Sequence, residues 1–201
     1  MKTIVKPYSE ACEENKRPIL AVIRKYFSVA NHVLEVGSGT GQHAVFFAEN
    51  LPEITWHCSD VKAYHEGILA WLRDYSGDNI KGPYELDVSQ ACWPMAQVDG
   101  IFSANTTHIM SWQNVEQLFT GIGTRLNDKG YFCLYGPFNY QANYTSNSNA
   151  QFDRYLKQRD PLSGIREFDD LQILAETACL TLVNDHEMPV NNRLLVWQKN
   201  H

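Results

Sequence analysis

The sequence contains no paired-cysteine motif. Its cysteines number five, an odd total, and no two form a Cys-x-x-Cys pair: they are Cys12, Cys58, Cys92, Cys133 and Cys179. Disulfide scaffolds and zinc sites need an even number or a close spacing of cysteines, so we expect neither, and we expect no bound metal. Most of these thiols should be reduced and buried as small apolar side chains.

Basic residues are too few for a nucleic-acid-binding surface spread over the protein. Lysine and arginine total 17 against 23 aspartates and glutamates, which gives a formal net charge of −6. Phosphate binding normally leaves a basic excess, so we expect no nucleic-acid partner. Residues 1–7 have no apolar core of a signal peptide, and no stretch is long and apolar enough to span a bilayer. We therefore expect a cytoplasmic protein without membrane contact; its oligomeric state stays open.

The composition is that of a globular domain. The 201 residues are 44% hydrophobic and 20% charged, as is typical of a folded chain of ordinary domain size. Apolar runs alternate with segments that carry apolar residues at helical spacing, and this alternation predicts an α/β fold. We expect a single domain over residues 1–201.

The alternation is clearest around a glycine-rich segment at residues 33–48. The run Val33–Val36 predicts a strand, and the small and apolar residues that follow Gly41 predict a helix. Between them, Gly37, Gly39 and Gly41 place a glycine at every second position. Glycine permits positive φ values and a close approach of the backbone to a ligand, so the segment predicts a cofactor-binding loop. An ordinary strand-to-helix turn is the alternative interpretation.

The spacing of these glycines distinguishes two classes of cofactor. The dinucleotide fingerprint is Gly-x-Gly-x-x-Gly, whereas this loop reads Gly37-x-Gly39-x-Gly41 with Glu35 two residues before it. The pattern resembles the first motif of class I S-adenosylmethionine-dependent methyltransferases. The resemblance implies S-adenosylmethionine as the cofactor and disfavours a nicotinamide oxidoreductase. It assigns cofactor contacts to Glu35, Gly37, Ser38, Gly39, Thr40 and Gly41.

Two acidic residues follow later predicted strands. Asp60 ends the run Ile54–Asp60, about twenty residues after the loop, where doubly wound folds place the carboxylate that accepts from both ribose hydroxyls. Asp87 follows a strand predicted near Tyr84–Leu86. In class I methyltransferases an acid here accepts from the adenine amine beside an apolar residue; a helix or turn cap is the alternative. We predict cofactor contacts for Asp60, Val61, Asp87 and Val88.

The fourth predicted strand, Val98–Ala104, leads into a polar cluster. Polar side chains at the carboxyl end of a parallel strand face the usual ligand crevice. We assign Asn105 to positioning a cofactor or a substrate amine. His108 is the candidate catalytic base because its unperturbed pKa is near neutrality, and a structural, hydrogen-bonded imidazole is the alternative.

The same cluster separates this chain from methyltransferases that act on adenine or glutamine. Those relatives carry an Asn/Asp-Pro-Pro-Tyr box, whereas this segment reads Asn105-Thr106-Thr107-His108. The stacking aromatic residue of the box is absent. We therefore expect neither base nor glutamine methylation.

The longest irregular stretch is predicted between residues 139 and 166. It is polar and aromatic, as a binding loop in a compact domain often is. We place the wall of the acceptor site there and at the end of the fifth predicted strand. The predicted acceptor contacts are Phe138, Tyr140, Asn143 and Arg159.

Hydrophobic periodicity also predicts the elements outside the glycine loop. A helix should begin near Pro18, after an irregular stretch over residues 1–15. Residues 127–130 should form a turn before the fifth strand at 131–135. The remaining predicted elements are helices at 62–75, 112–126 and 168–178 and a strand hairpin at 180–188 and 193–198.

Along the whole chain, this alternation resembles the methyltransferase fold. That fold is a doubly wound, mostly parallel seven-stranded sheet with helices on both faces and a C-terminal antiparallel hairpin. A closer likeness, to the methyltransferase-like 26 group long catalogued as a domain of unknown function, comes from six short motifs. They are Asn105-x-x-His108-Ile109, Leu134-Tyr135-Gly136-Pro137-Phe138, Ser148-Asn149-Ala150-x-Phe152-Asp153, Arg159-Asp160-Pro161, Gly164-Ile165-Arg166 and Met188-Pro189-x-Asn191-Asn192.

These features predict a methyltransferase that uses S-adenosylmethionine to methylate a small molecule. Uncharged aromatic and amide side chains in the predicted acceptor wall favour a small, neutral or weakly polar acceptor. An S-adenosylmethionine-binding protein of the same fold without turnover is the alternative, because no motif identifies an acceptor.

Overall fold

Nine strands and six helices alternate along the computed structural model, which describes residues 6–201. The expectation about a signal peptide rests partly on residues 1–5, which lie outside the described residues. The helices are α1 (Glu10–Tyr26), α2 (Gln42–Asn50), α3 (His65–Leu72), α4 (Trp112–Arg125), α5 (Asn147–Arg159) and α6 (Phe168–Thr177), with a 3-10 turn at Lys62–Tyr64. The strands are β1 (His32–Val36), β2 (Thr55–Asp60), β3 (Ile80–Glu85), β4 (Val98–Ala104), β5 (Leu126–Gly136), β6 (Phe138–Asn139), β7 (Arg166–Glu167), β8 (Leu180–Met188) and β9 (Asn192–Lys199).

Seven of the strands form one sheet in the order β3-β2-β1-β4-β5-β9-β8. β1 to β5 pair in parallel, and β9 pairs antiparallel with both β5 and β8. The short strands β6 and β7 form a separate parallel ladder. The predicted doubly wound sheet with its C-terminal antiparallel hairpin is confirmed. Strand order reverses between β1 and β4, the position at which such sheets bind ligands.

Helices cover both faces of the sheet. One hydrophobic core lies under α1, α2 and α3 and includes Phe47 and Trp56, and the other lies under α4 and α6 and includes Phe132 and Trp197. In β1 only His32 is exposed, as expected for a parallel strand that is packed on both sides. Among residues 6–201, no helix combines the length and the apolarity needed to cross a bilayer.

The first helix begins earlier than predicted. Ser9 caps α1 by accepting a hydrogen bond from the Cys12 backbone N–H (3.3 Å), so the helix starts at Glu10. Pro18 lies inside the helix and not in its first turn. The predicted irregular stretch over residues 1–15 is therefore wrong from residue 10 onward.

Helix α5 occupies part of the segment that was predicted to be irregular, so that prediction is wrong for residues 147–159. The buried residues of α5 are Asn149, Asp153 and Leu156, of which only one is apolar. A helix whose buried side is mostly polar gives no hydrophobic periodicity.

The predicted turn at residues 127–130 is an irregularity inside β5. The strand runs unbroken from Leu126 to Gly136, and its pairing with β4 shifts register between Val98 and Gly100. Lys129 takes a left-handed φ of 64° at this point.

The cysteines are free, as the sequence predicts for residues 6–201. Their burial differs from the prediction, because only Cys58 and Cys133 are buried, whereas Cys92 and Cys179 are exposed.

Candidate functional site

A cavity of about 1050 Å³ opens at the carboxyl ends of β1, β2, β4 and β5. The loops after these strands and after β3 form one side of it. The opposite side comes from the N-terminal halves of α1 and α5 and from the turn between β8 and β9. Its position at the reversal of strand order makes it the candidate ligand site.

The glycine-rich loop lines the cavity through Gly37, Ser38, Gly39 and Thr40. A Cβ added at Gly39, where φ is +56°, would meet no atom within 4 Å, so this residue faces open space. A ligand can therefore lie directly against the backbone there. Gly41 does not line the cavity; it precedes α2 with φ 90°, and a Cβ there would lie 3.1 Å from the Ile68 Cα.

Glu35 lies beneath the loop and does not reach the cavity. Its side chain is 1% exposed, and its Oε2 accepts hydrogen bonds from Ser38 Oγ (2.8 Å) and Trp56 Nε1 (3.0 Å). Burial raises the pKa of Glu35 to about 7, against the lowering effect of these two hydrogen bonds. The structure therefore places Glu35 in a supporting position under the loop and not in the cavity lining, and its predicted contact with the cofactor stays a prediction.

Asp60 lines the cavity and also holds the loop. Its Oδ2 accepts from the Gly39 N–H (2.7 Å) and its Oδ1 from the Val61 N–H (2.8 Å). Burial raises the pKa of Asp60 above its ordinary value, although the two backbone donors oppose this. Each carboxylate oxygen has a second lone pair. Asp60 can therefore accept two further hydrogen bonds from a ligand diol, beside the apolar side chain of Val61.

Asp87 and Val88 line the next part of the cavity. Asp87 Oδ1 accepts from the Ser89 backbone N–H (2.9 Å) and from Ser89 Oγ (2.7 Å). Asp87 thus caps a turn, which was the alternative interpretation, while it also faces the cavity. The buried side chain of Val88 adds apolar surface beside it.

Asn105 and His108 both line the cavity from the loop after β4. Asn105 adopts a left-handed φ of 59°, uncommon outside glycine, and its N–H donates to the Tyr135 carbonyl (2.9 Å). The His108 ring is buried, with its edge toward Phe152 at a centroid distance of 5.3 Å. Burial, and to a lesser extent the Arg166 guanidinium, lower the pKa of His108 to about 4. Its imidazole is therefore neutral at physiological pH and can accept a hydrogen bond, but it is a weaker base than the near-neutral pKa assumed from the sequence would make it.

Arg166 ties the His108 loop to the segment that follows α5. Its Nε donates to the Thr107 carbonyl (2.9 Å), and its Nη2 donates to the carbonyls of Leu162 (2.9 Å) and Met110. Arg166 is not part of the cavity lining. Its guanidinium therefore positions backbone behind His108.

A polar cluster that the sequence analysis did not assign lies in the cavity wall. Asn15 Oδ1 is 2.7 Å from His43 Nε2, and the Tyr135 hydroxyl is within reach of the Asn15 and Asn192 amides. Burial raises the pKa of Tyr135 against these two amides, so the hydroxyl stays protonated. All four residues line the cavity. Tyr135 and Asn192 belong to the quoted motifs, which were the only available signal for them. The resemblance to class I methyltransferases also implies that Asn15, in the leading helix, could reach the cofactor's carboxylate, whereas nothing local marks His43.

None of the four predicted acceptor residues lines the cavity. Phe138 is fully buried in the core under α4 and α6. The Tyr140 hydroxyl donates to Asp185 Oδ2 (2.7 Å), Asn143 pairs with the backbone of Tyr140, and Arg159 is exposed at the end of α5. Phe138 and Tyr140 do not reach the cavity because the chain after β5 enters the β6–β7 ladder and packs on the side of the sheet that α4 and α6 cover. The structure instead brings Asn149 and Phe152 of α5 to the cavity.

The fold is similar to that of solved methyltransferase structures. The structure of an O-methyltransferase family protein from Burkholderia thailandensis matches with a TM-score of 0.83 at 13% identity, over 95% of this chain and 58% of that chain. Human N-acetylserotonin methyltransferase in complex with SAM (S-adenosylmethionine) matches with a TM-score of 0.78 at 15% identity, over 96% and 53%. A structure described as PigF with SAH (S-adenosylhomocysteine) matches with a TM-score of 0.79 at 18% identity, over 94% and 57%.

The chain spans just over half the length of each of these three proteins. At such low identities the likeness shows a shared fold alone. In sequence, residues 6–199 match the family described as "Protein of unknown function (DUF938)".

Proposed function

The chain belongs to the family described as "Protein of unknown function (DUF938)", and from that premise we propose that it is an S-adenosylmethionine-dependent methyltransferase acting on a small molecule. The observation that carries this proposal is the open space against the Gly39 backbone, next to the Asp60 carboxylate, in a cavity at the reversal of strand order. The fold shared with solved methyltransferases supports it.

The cavity lining fits the cofactor. We assign the backbone of the Gly37–Thr40 loop to the amino-acid part and Asp60 to the ribose hydroxyls, because a carboxylate offers two acceptors and no donor. We assign the adenine to the space between Val61 and Val88, with Asp87 as the acceptor for its amine. These groups lie side by side along one wall of the cavity.

Other residues of the cavity lining would handle the acceptor. Bound S-adenosylmethionine would supply a methyl group already activated on a sulfonium, so the protein's main task is to position the acceptor. Asn105 and Tyr135 can orient it by hydrogen bonds. His108 is neutral and lines the cavity, so its imidazole can accept a hydrogen bond from an acceptor heteroatom, but a pKa of about 4 makes it a weak base for removing the proton.

We also propose that the chain belongs to the methyltransferase-like 26 group. The motifs that carry this likeness are far apart in sequence, yet residues from five of the six line the cavity: Asn105, His108, Ile109, Tyr135, Pro137, Ser148, Asn149, Phe152, Asp160, Pro189 and Asn192. Because residues from such distant motifs line one cavity, we infer that the motifs together form one functional site. The cytoplasmic location stays a prediction from the sequence.

Calorimetric titration tests the proposed cofactor. We expect S-adenosylmethionine and S-adenosylhomocysteine to bind with one-to-one stoichiometry and NAD to show no binding under the same conditions. Binding of NAD alone would contradict the proposal. Formation of S-adenosylhomocysteine in the presence of a pool of small alcohols, phenols and amines then measures turnover. Cofactor binding without any product from such pools would favour the binding protein without turnover.

A further inference from the structure

The cavity is lined by carboxylates and by no basic side chain of residues 6–201. Its two imidazoles, His43 and His108, both have their pKa lowered to about 4, mainly by burial, so neither carries a charge at neutral pH. The lining carboxylates are Glu14, Asp60, Asp87 and Asp160.

Lys157 of α5 and Arg193 next to the β8–β9 turn are bound to other groups, whereas Arg154 and Arg159 of α5 are exposed and do not line the cavity. Lys157 Nζ pairs with Asp153 Oδ2 (2.7 Å), and Arg193 Nε pairs with Asp185 Oδ1 (2.7 Å). Arg166 donates to backbone carbonyls behind His108. An anionic acceptor would therefore lose its hydration in the cavity without gaining an ion pair to any side chain of residues 6–201, and an unpaired charge is costly to desolvate.

Exposed apolar side chains surround the mouth of the cavity. Ile109, Leu162 and Val190 line it and are 52%, 63% and 73% exposed. Single exposed apolar residues are ordinary, but these three come from separate loops and meet at one opening. Phe152 continues the apolar surface inward to His108.

We propose that the acceptor is an uncharged molecule with an apolar, ring-sized body, and that the cavity rejects carboxylate and phosphate acceptors. This inference rests on the proposed methyltransferase function. The apolar body packs on Phe152, Leu162 and Val190, and its polar atom meets Asn105 and Tyr135. Glu14 and Asp160 are exposed and screened by solvent, so their repulsion is the smaller effect and the lack of a counter-ion is the larger one.

Three probes of equal ring size test the charge preference. Benzyl alcohol, benzylamine and benzoate are titrated into protein saturated with S-adenosylhomocysteine, and binding is followed by ligand-observed NMR. We expect benzyl alcohol to bind at least about tenfold more tightly than benzoate, which corresponds to about 1.4 kcal/mol. We also expect it to bind more tightly than benzylamine, a cation at neutral pH, and tighter binding of benzylamine would overturn the uncharged acceptor.

A matched pair of lysine variants tests where the preference arises. Leu162→Lys adds a cation at the mouth of the cavity, and we expect it to tighten benzoate binding about threefold or more. Ile173→Lys is the control, because Ile173 is 62% exposed on α6 and does not line the cavity. We expect this control to leave benzoate affinity unchanged.

The outcomes separate the two proposals. Equal affinity of wild-type protein for benzoate and benzyl alcohol, no binding of any probe, or an equal gain in both lysine variants would overturn the uncharged acceptor. Failure of S-adenosylhomocysteine to bind would overturn the proposed function instead. The probe series is then repeated without S-adenosylhomocysteine, and a retained preference for benzyl alcohol would still support an uncharged ligand.

Discussion

Two carboxylates hold the glycine-rich loop, and their surroundings give them different tasks. Asp60 faces the cavity and accepts from the backbone N–H groups of Gly39 and Val61. Glu35 is buried below the loop and accepts from Ser38 and Trp56. Only Asp60 can therefore both shape the loop and bind a ligand.

Replacing Asp60 should weaken cofactor binding. Asp60→Ala removes two lone-pair acceptors from the proposed ribose position, each worth about 1.5 to 3 kcal/mol as a charged hydrogen bond. We expect the affinity for S-adenosylhomocysteine, measured by calorimetry, to fall about a hundredfold or more. Unchanged affinity would exclude Asp60 from the cofactor site.

Asp99 provides the matched control for this substitution. Its Oδ2 also accepts from two backbone N–H groups, those of Asn31 (2.9 Å) and His32 (3.1 Å), at the opposite edge of the sheet. Asp99→Ala should lower thermal stability and leave the affinity for S-adenosylhomocysteine unchanged. A comparable loss of affinity in both variants would mean that the Asp60 effect is structural.

Glu35 should make stability depend on pH. Because burial raises its pKa to about 7 in the folded state, the folded protein holds this proton more tightly than the unfolded chain does. The resulting stabilisation is complete below the unfolded pKa of about 4.3 and is lost as pH rises through 7, a change on the order of 3 kcal/mol. Thermal unfolding of wild-type protein and Glu35→Gln between pH 5 and 8 measures it.

The Glu35→Gln variant should gain stability relative to wild type as the pH rises over this range. Glu85, exposed at the end of β3, provides the control, and Glu85→Gln should follow the wild-type pH dependence. If the difference between Glu35→Gln and wild type is constant from pH 5 to 8, Glu35 does not titrate in this range.

At the scale of elements, α5 is held over the cavity by polar contacts. Asp153 is 2% exposed and accepts from the Ile165 N–H (2.7 Å), Tyr144 Oη (2.8 Å) and Lys157 Nζ (2.7 Å). Asn149 Nδ2 donates to the Asn191 carbonyl (3.1 Å) and so joins α5 to the β8–β9 turn. These bonds replace the hydrophobic contacts that anchor the other helices.

Removing Asp153 should loosen this segment and spare the cofactor wall. Asp153→Ala leaves the buried Ile165 N–H without its acceptor, which costs about 1 to 3 kcal/mol. We expect faster hydrogen exchange in residues 144–165 and unchanged affinity for S-adenosylhomocysteine, because Asp153 does not line the cavity. Asp170→Ala, at an exposed position on α6, is the control. Unaltered exchange in residues 144–165 would contradict the anchoring role.

At the scale of the whole molecule, the two hydrophobic cores share the same strands. Successive β1 residues point to opposite sides, Val33 into the core under α1 to α3 and Leu34 into the core under α4 and α6. If these strands unfold on the side of one core, the apolar side chains of the other core are exposed to water as well. The single domain over residues 1–201 stays a prediction, which unfolding experiments can test.

The shared strands predict one cooperative unfolding transition. Scanning calorimetry of the full chain should show a single peak whose calorimetric and van't Hoff enthalpies agree. Saturating S-adenosylhomocysteine should move that peak to higher temperature without splitting it, because it binds the folded state alone. Two resolved peaks would contradict the single-domain prediction.

The local sequence determined the secondary structure of those elements that form because of their own residues. The apolar runs of β1, β2 and β4 and the glycines between β1 and α2 predict strands, a loop and a helix without reference to the rest of the chain. Since parallel strands end at one edge, the same patterns also predict that Asp60, Asp87 and Asn105 line one cavity.

Tertiary structure decided the acceptor side, because those positions depend on contacts between segments that are distant in sequence. α5 buries polar side chains whose partners are Ile165 and Asn191, so its own residues do not indicate a helix on the cavity. The turn of the chain after β5 moves Phe138 and Tyr140 onto the α4 and α6 side, while Asn15 and His43 meet only when α1 packs on α2. A pattern of residue types indicates which side chains can be buried. Which of these side chains contact each other is decided only when the chain packs.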